Sequence, residues 1–353
     1  MTVQIDTSTR KNRFPRTRYQ GSKRKLATAI LHHLRDLSFT TVLDAFGGTG
    51  SVAYAFKCAG KQVTYNDILT CNHQIAVALI ENDRVQLGED EIEGVGAAQP
   101  GAVYGDFIER TFDGIYYTRE ENHWLDVAVH NIRAIPCRFK RAIAWFALFQ
   151  AALVKRPYNL FHRKNLYMRT ADVPRSFGNK ATWDRSFADH FRVFAQEANG
   201  AVVDGSGTCS ALCRDALEVE PGYDLVYIDT PYINNRGVGV NYRSFYHFLE
   251  GLLRYDDWPA LVDLSSKHRR LLPQPDPWSD GKINREMFQR LFARFADSIL
   301  VVSYRSDGIP PIEELEELLS GVKRNVRRIT VDRYQYALST RRSTREILLI
   351  GTD

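Results

Sequence analysis

The sequence lacks the features that mark exported, membrane-bound and metal-holding proteins. No Cys-x-x-Cys pair occurs among its five cysteines, Cys58, Cys71, Cys137, Cys209 and Cys213, and an odd number without such spacing supports neither a disulfide framework nor a zinc knuckle. Buried thiols in a reducing cytoplasm are expected instead. The nine histidines show no ligand spacing, so no metal is implied. The longest nearly apolar run, residues 142–154, is interrupted by Gln150 and bracketed by Arg141 and Lys155. It is shorter than the roughly 20 residues a bilayer span needs, and no membrane segment is expected. Neither an apolar stretch nor a small-residue cleavage site follows the basic N-terminus, which argues against a secretory signal and for a cytoplasmic protein. Internal repeats and low-complexity segments are absent as well. What remains is 353 residues, 44% hydrophobic and 25% charged, a folded chain of one large or two ordinary domains.

Acidic residues are absent from one stretch and scarce in another. Residues 10–25 carry eight Lys and Arg and no acid, and residues 133–192 carry thirteen against Asp172, Asp184 and Asp189, although the whole chain is only +5. The second stretch interleaves Tyr158, Phe161, Tyr167, Phe177 and Trp183 with Arg156, Arg163, Lys164, Arg169, Arg175 and Lys180. Such a mixture suits phosphate neutralisation with stacking or groove contacts, and composition alone equally allows a solvated basic face.

Residues 40–46 read as a buried strand, followed by the turn Gly47-Gly48-Thr49-Gly50, a helix over 51–59 closed by Gly60, and a second strand over 62–66. This strand–helix–strand order implies a parallel sheet. Residues 84–105 read as a loop or linker. Helical periodicity then runs over 119–134, 139–154 and 182–198, with an irregular basic stretch at 155–180. Strand patterns resume at 223–229, 298–303 and 346–350, and residues 272–282 read as a polar, Pro-rich surface loop. The expectation is a Rossmann-like α/β sheet split in sequence, with 1–115 and 201–353 forming one domain around an inserted, mostly helical module at 116–200.

Two constellations carry chemistry. Asp44-Ala45-Phe46-Gly47-Gly48-Thr49-Gly50 stands where a strand hands over to a helix, and its glycines let a backbone approach a ligand. It does not satisfy Gly-x-Gly-x-x-Gly, and an acid before the glycines would repel a pyrophosphate, so hydride transfer is disfavoured. A cofactor with cationic and hydroxyl groups fits better, and S-adenosylmethionine has a sulfonium, an ammonium and a ribose. Asp67 closes the next strand, where a ribose diol is gripped in such sheets. The second constellation, Asp229-Thr230-Pro231-Tyr232, follows the apolar strand Leu225-Val226-Tyr227-Ile228 and so is delivered to the carboxyl edge of the sheet.

Asp229-Thr230-Pro231-Tyr232 is similar to the Asp-Pro-Pro-Tyr signature of methyltransferases acting on amino groups of nucleic-acid bases. With its companions, the chain resembles the Dam-like DNA adenine N6-methyltransferases. Tyr19-Gln20-Gly21-Ser22-Lys23 resembles the family's N-terminal motif, which implies that Tyr19 and Lys23 contact the cofactor. The resemblance also makes Asp44, Phe46, Gly47, Gly48 and Gly50 the methionine-binding loop, Asp67 the ribose acid and Asp215 the acid at the cofactor adenine, although Ala216 follows Asp215 where the family has an aromatic. Asp106-Phe107 is a weaker competitor for that last position. Residues 157–165 resemble the lead into the DNA-reading segment, with Arg163, Lys164, Arg169, Arg175 and Lys180 as candidate DNA contacts. Thr230 departs from the family's proline but still supplies a backbone carbonyl, which with Asp229 accepts the amine hydrogens while Tyr232 stacks on the base. Tyr242, Tyr246, His247, Tyr334 and Tyr336 are weaker candidates for the base pocket, with packing as the alternative.

The resemblance implies methyl transfer from S-adenosylmethionine to adenine N6 of a flipped-out base in double-stranded DNA, within a restriction-modification or an orphan methylation system, with a cognate restriction endonuclease as a candidate partner. Cytosine N4, an RNA adenine, and a nucleic-acid-binding protein rendered catalytically weak by Thr230 are the alternatives.

Overall fold

The structure, a computed structural model, describes residues 14–172, 180–205, 207–234, 237, 239–331 and 345–353. Seven strands form its sheet: β1 (Thr41–Asp44), β2 (Gln62–Asn66), β3 (Ser210–Leu212), β4 (Leu225–Ile228), β5 (Ile299–Arg305), β6 (Asn325–Val331) and β7 (Glu346–Thr352). Their spatial order is β3-β2-β1-β4-β5-β7-β6. The first five lie parallel, and β7 runs antiparallel between β5 and β6. Central parallel strands are covered on both faces and read as unbroken apolar runs, as Leu225-Val226-Tyr227-Ile228 does, all four being buried. Successive residues point to opposite faces, so Leu225 and Tyr227 enter one core and Val226 and Ile228 the other. This is a Rossmann-like α/β sheet with one antiparallel strand inserted between its last two positions.

The principal helices are α1 (Ala27–Leu34), α2 (Ser51–Cys58), α3 (Thr70–Ala76), α4 (Arg119–Ala134), α5 (Arg138–Val154), α6 (Phe187–Ala201), α7 (Tyr242–Leu253), α8 (Asn284–Arg294) and α9 (Ile312–Ser320). The apolar run noted in the sequence is the inner length of α5, buried from Ala142 to Val154; no helix is long and apolar enough to cross a membrane, among the described residues. α5 packs on α6 and α3 and shares one core cluster with strand residues Val42 and Leu225. Helices between β2 and β3 therefore rest on the sheet's own core.

Several boundaries differ from expectation. Residues 84–105 contain a short helix, Glu89–Gly94, opened by Glu91, whose carboxylate accepts from Gly88 N at 2.9 Å. The helix expected over 182–198 is broken in two: residues 180–184 form a short helix of their own, and α6 starts afresh at Phe187, where the Ser186 hydroxyl caps it by accepting from Asp189 N at 3.0 Å. Strands β3 and β6 carry no sequence signal: β3 has three residues, and β6 is an edge strand with four of seven residues exposed. Of the cysteines only Cys71 is buried, and Cys213 is exposed.

Candidate active site

β1, β2 and β4 are neighbours whose carboxyl ends lie together, the edge at which open α/β sheets bind ligands. A pocket opens there, lined by Tyr19, Lys23, residues 44–49, Asp67, Asp215 and Asp229–Tyr232. Local geometry explains the glycines. A Cβ on Gly47 would stand 2.0 Å from the Tyr65 ring, and Gly50 precedes α2 with φ 78°, a left-handed conformation that other residues adopt at a cost. Gly50 abuts the pocket through this turn and is not itself among the lining residues.

Each acid is held differently. Asp44 is fully buried; its Oδ2 accepts from Ala53 N at 3.2 Å, and Oδ1 has no partner among the described residues. Burial, and next the charge of Asp229, push its carboxyl well above the ordinary range. Asp67 accepts from Gly48 N at 2.9 Å and from Leu69 N at 2.8 Å, so it fastens the glycine loop to β2. Burial pushes it up to about 6 despite those bonds. Asp215 lines the pocket and caps a short turn by accepting from Leu217 N at 2.9 Å, whereas Asp106 is exposed and pairs with Arg110 at 3.5 Å.

Lys23 also has partners within the protein. It lines the pocket, but its ammonium, 3% exposed, donates to Asp229 Oδ1 at 2.9 Å and to the Tyr232 hydroxyl, and pairs with Glu346 Oε1 at 3.1 Å. Tyr232 in turn donates to Asp229 Oδ1 at 2.5 Å. Both hydrogen bonds to Asp229 thus fall on one oxygen. Burial raises Asp229 to about 6, with Lys23 opposing and Glu346 adding to the rise. Thr230 is buried with its hydroxyl unpartnered among the described residues. Tyr232 is nearly buried and lies edge-on to Tyr304 at 5.8 Å between ring centroids.

Tyr19 accepts from Asn72 Nδ2 at 2.9 Å and stacks on Tyr246 at 4.3 Å. Tyr246 and His247 are packing residues, both fully buried, while Tyr242 reaches the pocket. Tyr334 and Tyr336 lie outside the described residues. Sequence reasoning missed two contributors. The presumed surface loop at 272–282 sends Pro275, Asp276, Pro277 and Trp278 to the pocket wall, where Trp278 meets Phe46 edge-on at 4.8 Å. Glu346 opens an apolar strand, and a charge in that position was the signal available.

The basic segment is partly structural. Arg163 and Lys164 are exposed, on a stretch held by the buried Arg156, which donates to the carbonyls of Leu160 at 3.3 Å and Arg163 at 2.9 Å. Tyr158, 58% exposed, has φ 67°, uncommon for a non-glycine residue. Arg169 is a correction: it is 6% exposed and binds Glu121 at 2.6 Å beside Lys155, itself 2.8 Å from Glu121, so its guanidinium is spent inside the fold. Lys180 is exposed and pairs with Asp184 at 2.8 Å. Arg175 lies outside the described residues.

A family model described as "D12 class N6 adenine-specific DNA methyltransferase" matches residues 19–259. The chain is 28% identical over 327 residues to "Type II methyltransferase M2.HphI" of Haemophilus parahaemolyticus, with 90% of each covered. It is 24% identical over 321 residues to "Modification methylase LlaI" of Lactococcus lactis subsp. lactis, with 85% of this chain and 48% of that relative covered.

Proposed function

The chain belongs to the D12 class N6 adenine-specific DNA methyltransferase family, and from that premise we propose that it transfers a methyl group from S-adenosylmethionine to N6 of an adenine flipped out of duplex DNA, at the pocket bounded by Asp44, Asp67 and Asp229. The enzyme is an adenine-specific DNA methyltransferase; cytosine N4 and RNA adenine are set aside by that membership. The observation that carries the site assignment is Asp229 at the end of β4, with Lys23 and Tyr232 both on Oδ1, leaving Oδ2 to accept from the substrate amine.

The residues present fit the cofactor. Asp44 Oδ1, buried without a partner among the described residues, is an acceptor that costs about 1–3 kcal/mol to leave unmet, and a cationic ammonium or sulfonium meets it. Asp67 and Asp215 suit the ribose and the adenine, and Phe46 with Trp278 supplies an apolar wall. When bound, S-adenosylmethionine supplies a methyl group carried on sulfonium sulfur. Asp229 and the carbonyl of Thr230 accept the two N6 hydrogens, which localises the nitrogen lone pair, and Tyr232 borders the base. Because N6 is buried in a stacked duplex, the base has to leave the stack. Arg163 and Lys164 provide DNA contacts.

Its likeness to a type II methyltransferase and to a modification methylase supports a place in a restriction-modification system; a cognate endonuclease as partner and a cytoplasmic location belong to the same proposal. Transfer of tritiated methyl to duplex DNA followed by base analysis tests the reading. N6-methyladenine is the expected product, and Asp229→Ala should lose on the order of 100-fold or more. Near-parental turnover in that variant would refute the assignment.

A further inference from the structure

Beyond residues 19–259, which the family model matches, the chain makes a tight loop before it returns to the pocket. Trp258–Leu261 forms a short helix. Val262 then pairs with Leu271 across an antiparallel bridge, and Leu272 N donates to the Leu261 carbonyl at 2.8 Å. Asp263 N donates to the Arg270 carbonyl at 2.8 Å and so closes the loop. Residues 263–270 carry Lys267, Arg269 and Arg270 against a single acid, Asp263, and Lys267 and Arg270 are exposed.

The loop is braced from within and from below. Arg269 has φ 54°, uncommon for a residue with a side chain, and its guanidinium donates to the Leu264 carbonyl. Asp263 accepts from Ser265 N at 3.0 Å and from Arg270 Nε at 3.2 Å. Underneath, the hydroxyl of the buried Tyr116 lies 2.7 Å from the His268 carbonyl and 2.7 Å from that of Phe161. The His268 ring also meets that of the buried His247, at 5.7 Å between centroids. One hydroxyl thereby sets this loop beside residues 157–165, where Arg163 and Lys164 are exposed. The two segments are close enough to act on each other's charge: burial, and then Arg163, Arg156 and His268, lower the His162 pKa. At its far end the loop runs through Gln274, which accepts from Arg243 at 2.5 Å, into residues 275–278 on the pocket wall.

We propose that the loop at 261–272 is a second DNA-binding element, which takes backbone phosphates of the duplex through Lys267 and Arg270 beside the segment that carries Arg163 and Lys164. This rests on the reading of the pocket as the place where a base leaves duplex DNA, and it adds where that duplex is held. A duplex carries one negative charge per about 1.7 Å of its axis, so holding it beside a base pocket takes several cations on neighbouring segments. Lys267, Arg163 and Lys164 have no ion pair among the described residues, which leaves their charges open to phosphates, while Arg270 shares its charge with Asp263. A loop already fixed by its own hydrogen bonds loses less conformational freedom on binding than a slack one. Phosphate contacts position a duplex without reading it, so the loop contributes affinity and orientation, and the choice of base pair is made elsewhere.

The test is binding of the full chain to fluorescent duplex DNA, read by anisotropy over a series of salt concentrations, for the parent, Lys267→Gln, Lys267→Arg, Arg270→Gln and the double glutamine variant. Each glutamine variant should lower the slope of log affinity against log salt by about one unit, and the double variant by about two. Lys267→Arg, which keeps the charge, should bind as the parent does. The losses should be equal on duplexes of unrelated sequence, with calorimetric affinity for S-adenosylmethionine within about twofold of the parent. Parental affinity and slope in the double variant would overturn the proposal, and so would a loss confined to one sequence. If Arg270→Gln fails to fold, Lys267→Gln carries the test alone, because its ammonium is exposed and has no partner among the described residues: parental urea unfolding with a lowered slope is expected, and an unchanged slope overturns the proposal. The parent's product on the same duplex, read by base analysis, decides the premise separately. Without N6-methyladenine the assignment of the pocket fails, while the salt slopes still decide whether this loop holds DNA.

Discussion

Asp67 illustrates how one side chain can serve fold and ligand together. Its two oxygens already accept from Gly48 N and Leu69 N, and each oxygen retains a second lone pair for a ribose hydroxyl. Replacing it removes hydrogen bonds made to a charged group, worth about 1.5–3 kcal/mol. Asp67→Ala should therefore weaken S-adenosylmethionine binding by about that amount, measured by calorimetry, and an unchanged affinity would remove Asp67 from the cofactor site. The pH dependence has a definite sign. Burial raises Asp67 to about 6, so affinity supported by its carboxylate fades as pH falls through that value. Thr230 carries the opposite lesson, for a buried hydroxyl with no partner among the described residues stands where the family places a proline.

Among elements, the basic stretch between α5 and α6 divides in two. Arg156 and Arg169 face inward. Burial works against ionising Glu121, yet Arg169 and Lys155 hold its carboxyl below the usual range, so the triad is closed within the fold. Removing one partner of such a buried group typically costs about 3–5 kcal/mol, and Arg169→Ala should lose stability of that order in urea unfolding. Arg163 and Lys164 face solvent on a segment that Arg156 and the bond from Phe161 N to Phe245 O fix in place. Their alanine variants should keep the parent's stability and reduce the salt dependence of DNA binding by about one unit of slope each for a phosphate contact. A base contact would relax preference at a single base pair instead. If both variants bound like the parent at every salt concentration, this face would be a solvated surface.

For the whole molecule, a buried histidine ties three distant segments together. His247 on α7 donates to the carbonyl of Phe161 at 3.1 Å and meets the Tyr116 hydroxyl at 2.8 Å, and that hydroxyl also donates to the carbonyl of His268. Burial lowers its pKa from 6.5 to about 3. Below pH 6.5 the unfolded chain therefore binds a proton that the folded protein refuses, so this group's contribution is present above pH 6.5 and is lost as pH falls toward 3. Each unit of that window is worth about 1.4 kcal/mol. Measured by urea unfolding, the stability advantage of the parent over His247→Gln should shrink by about 2 kcal/mol between pH 6.5 and pH 5. An advantage independent of pH would mean that His247 takes up its proton inside the fold.

The sequence alone determined the parts of this protein that are local or periodic. Unbroken apolar runs made β4 and β5 legible, helical periodicity made α4 and α5 legible, and strand-to-turn transitions placed Asp44, Asp67 and Asp229 at strand ends, because each signal lies within a few neighbouring residues. The tertiary structure alone decided what meets across the chain. Lys23 and Glu346 are 323 residues apart and share an ion pair, Trp278 turns from a loop onto Phe46, and Arg169 spends its charge on Glu121 rather than on a partner molecule. A basic side chain reads the same in sequence whether it faces water or a buried carboxylate. The difference is made by desolvation and by which carboxylate lies within about 3 Å, and both exist only once the strands and helices have packed.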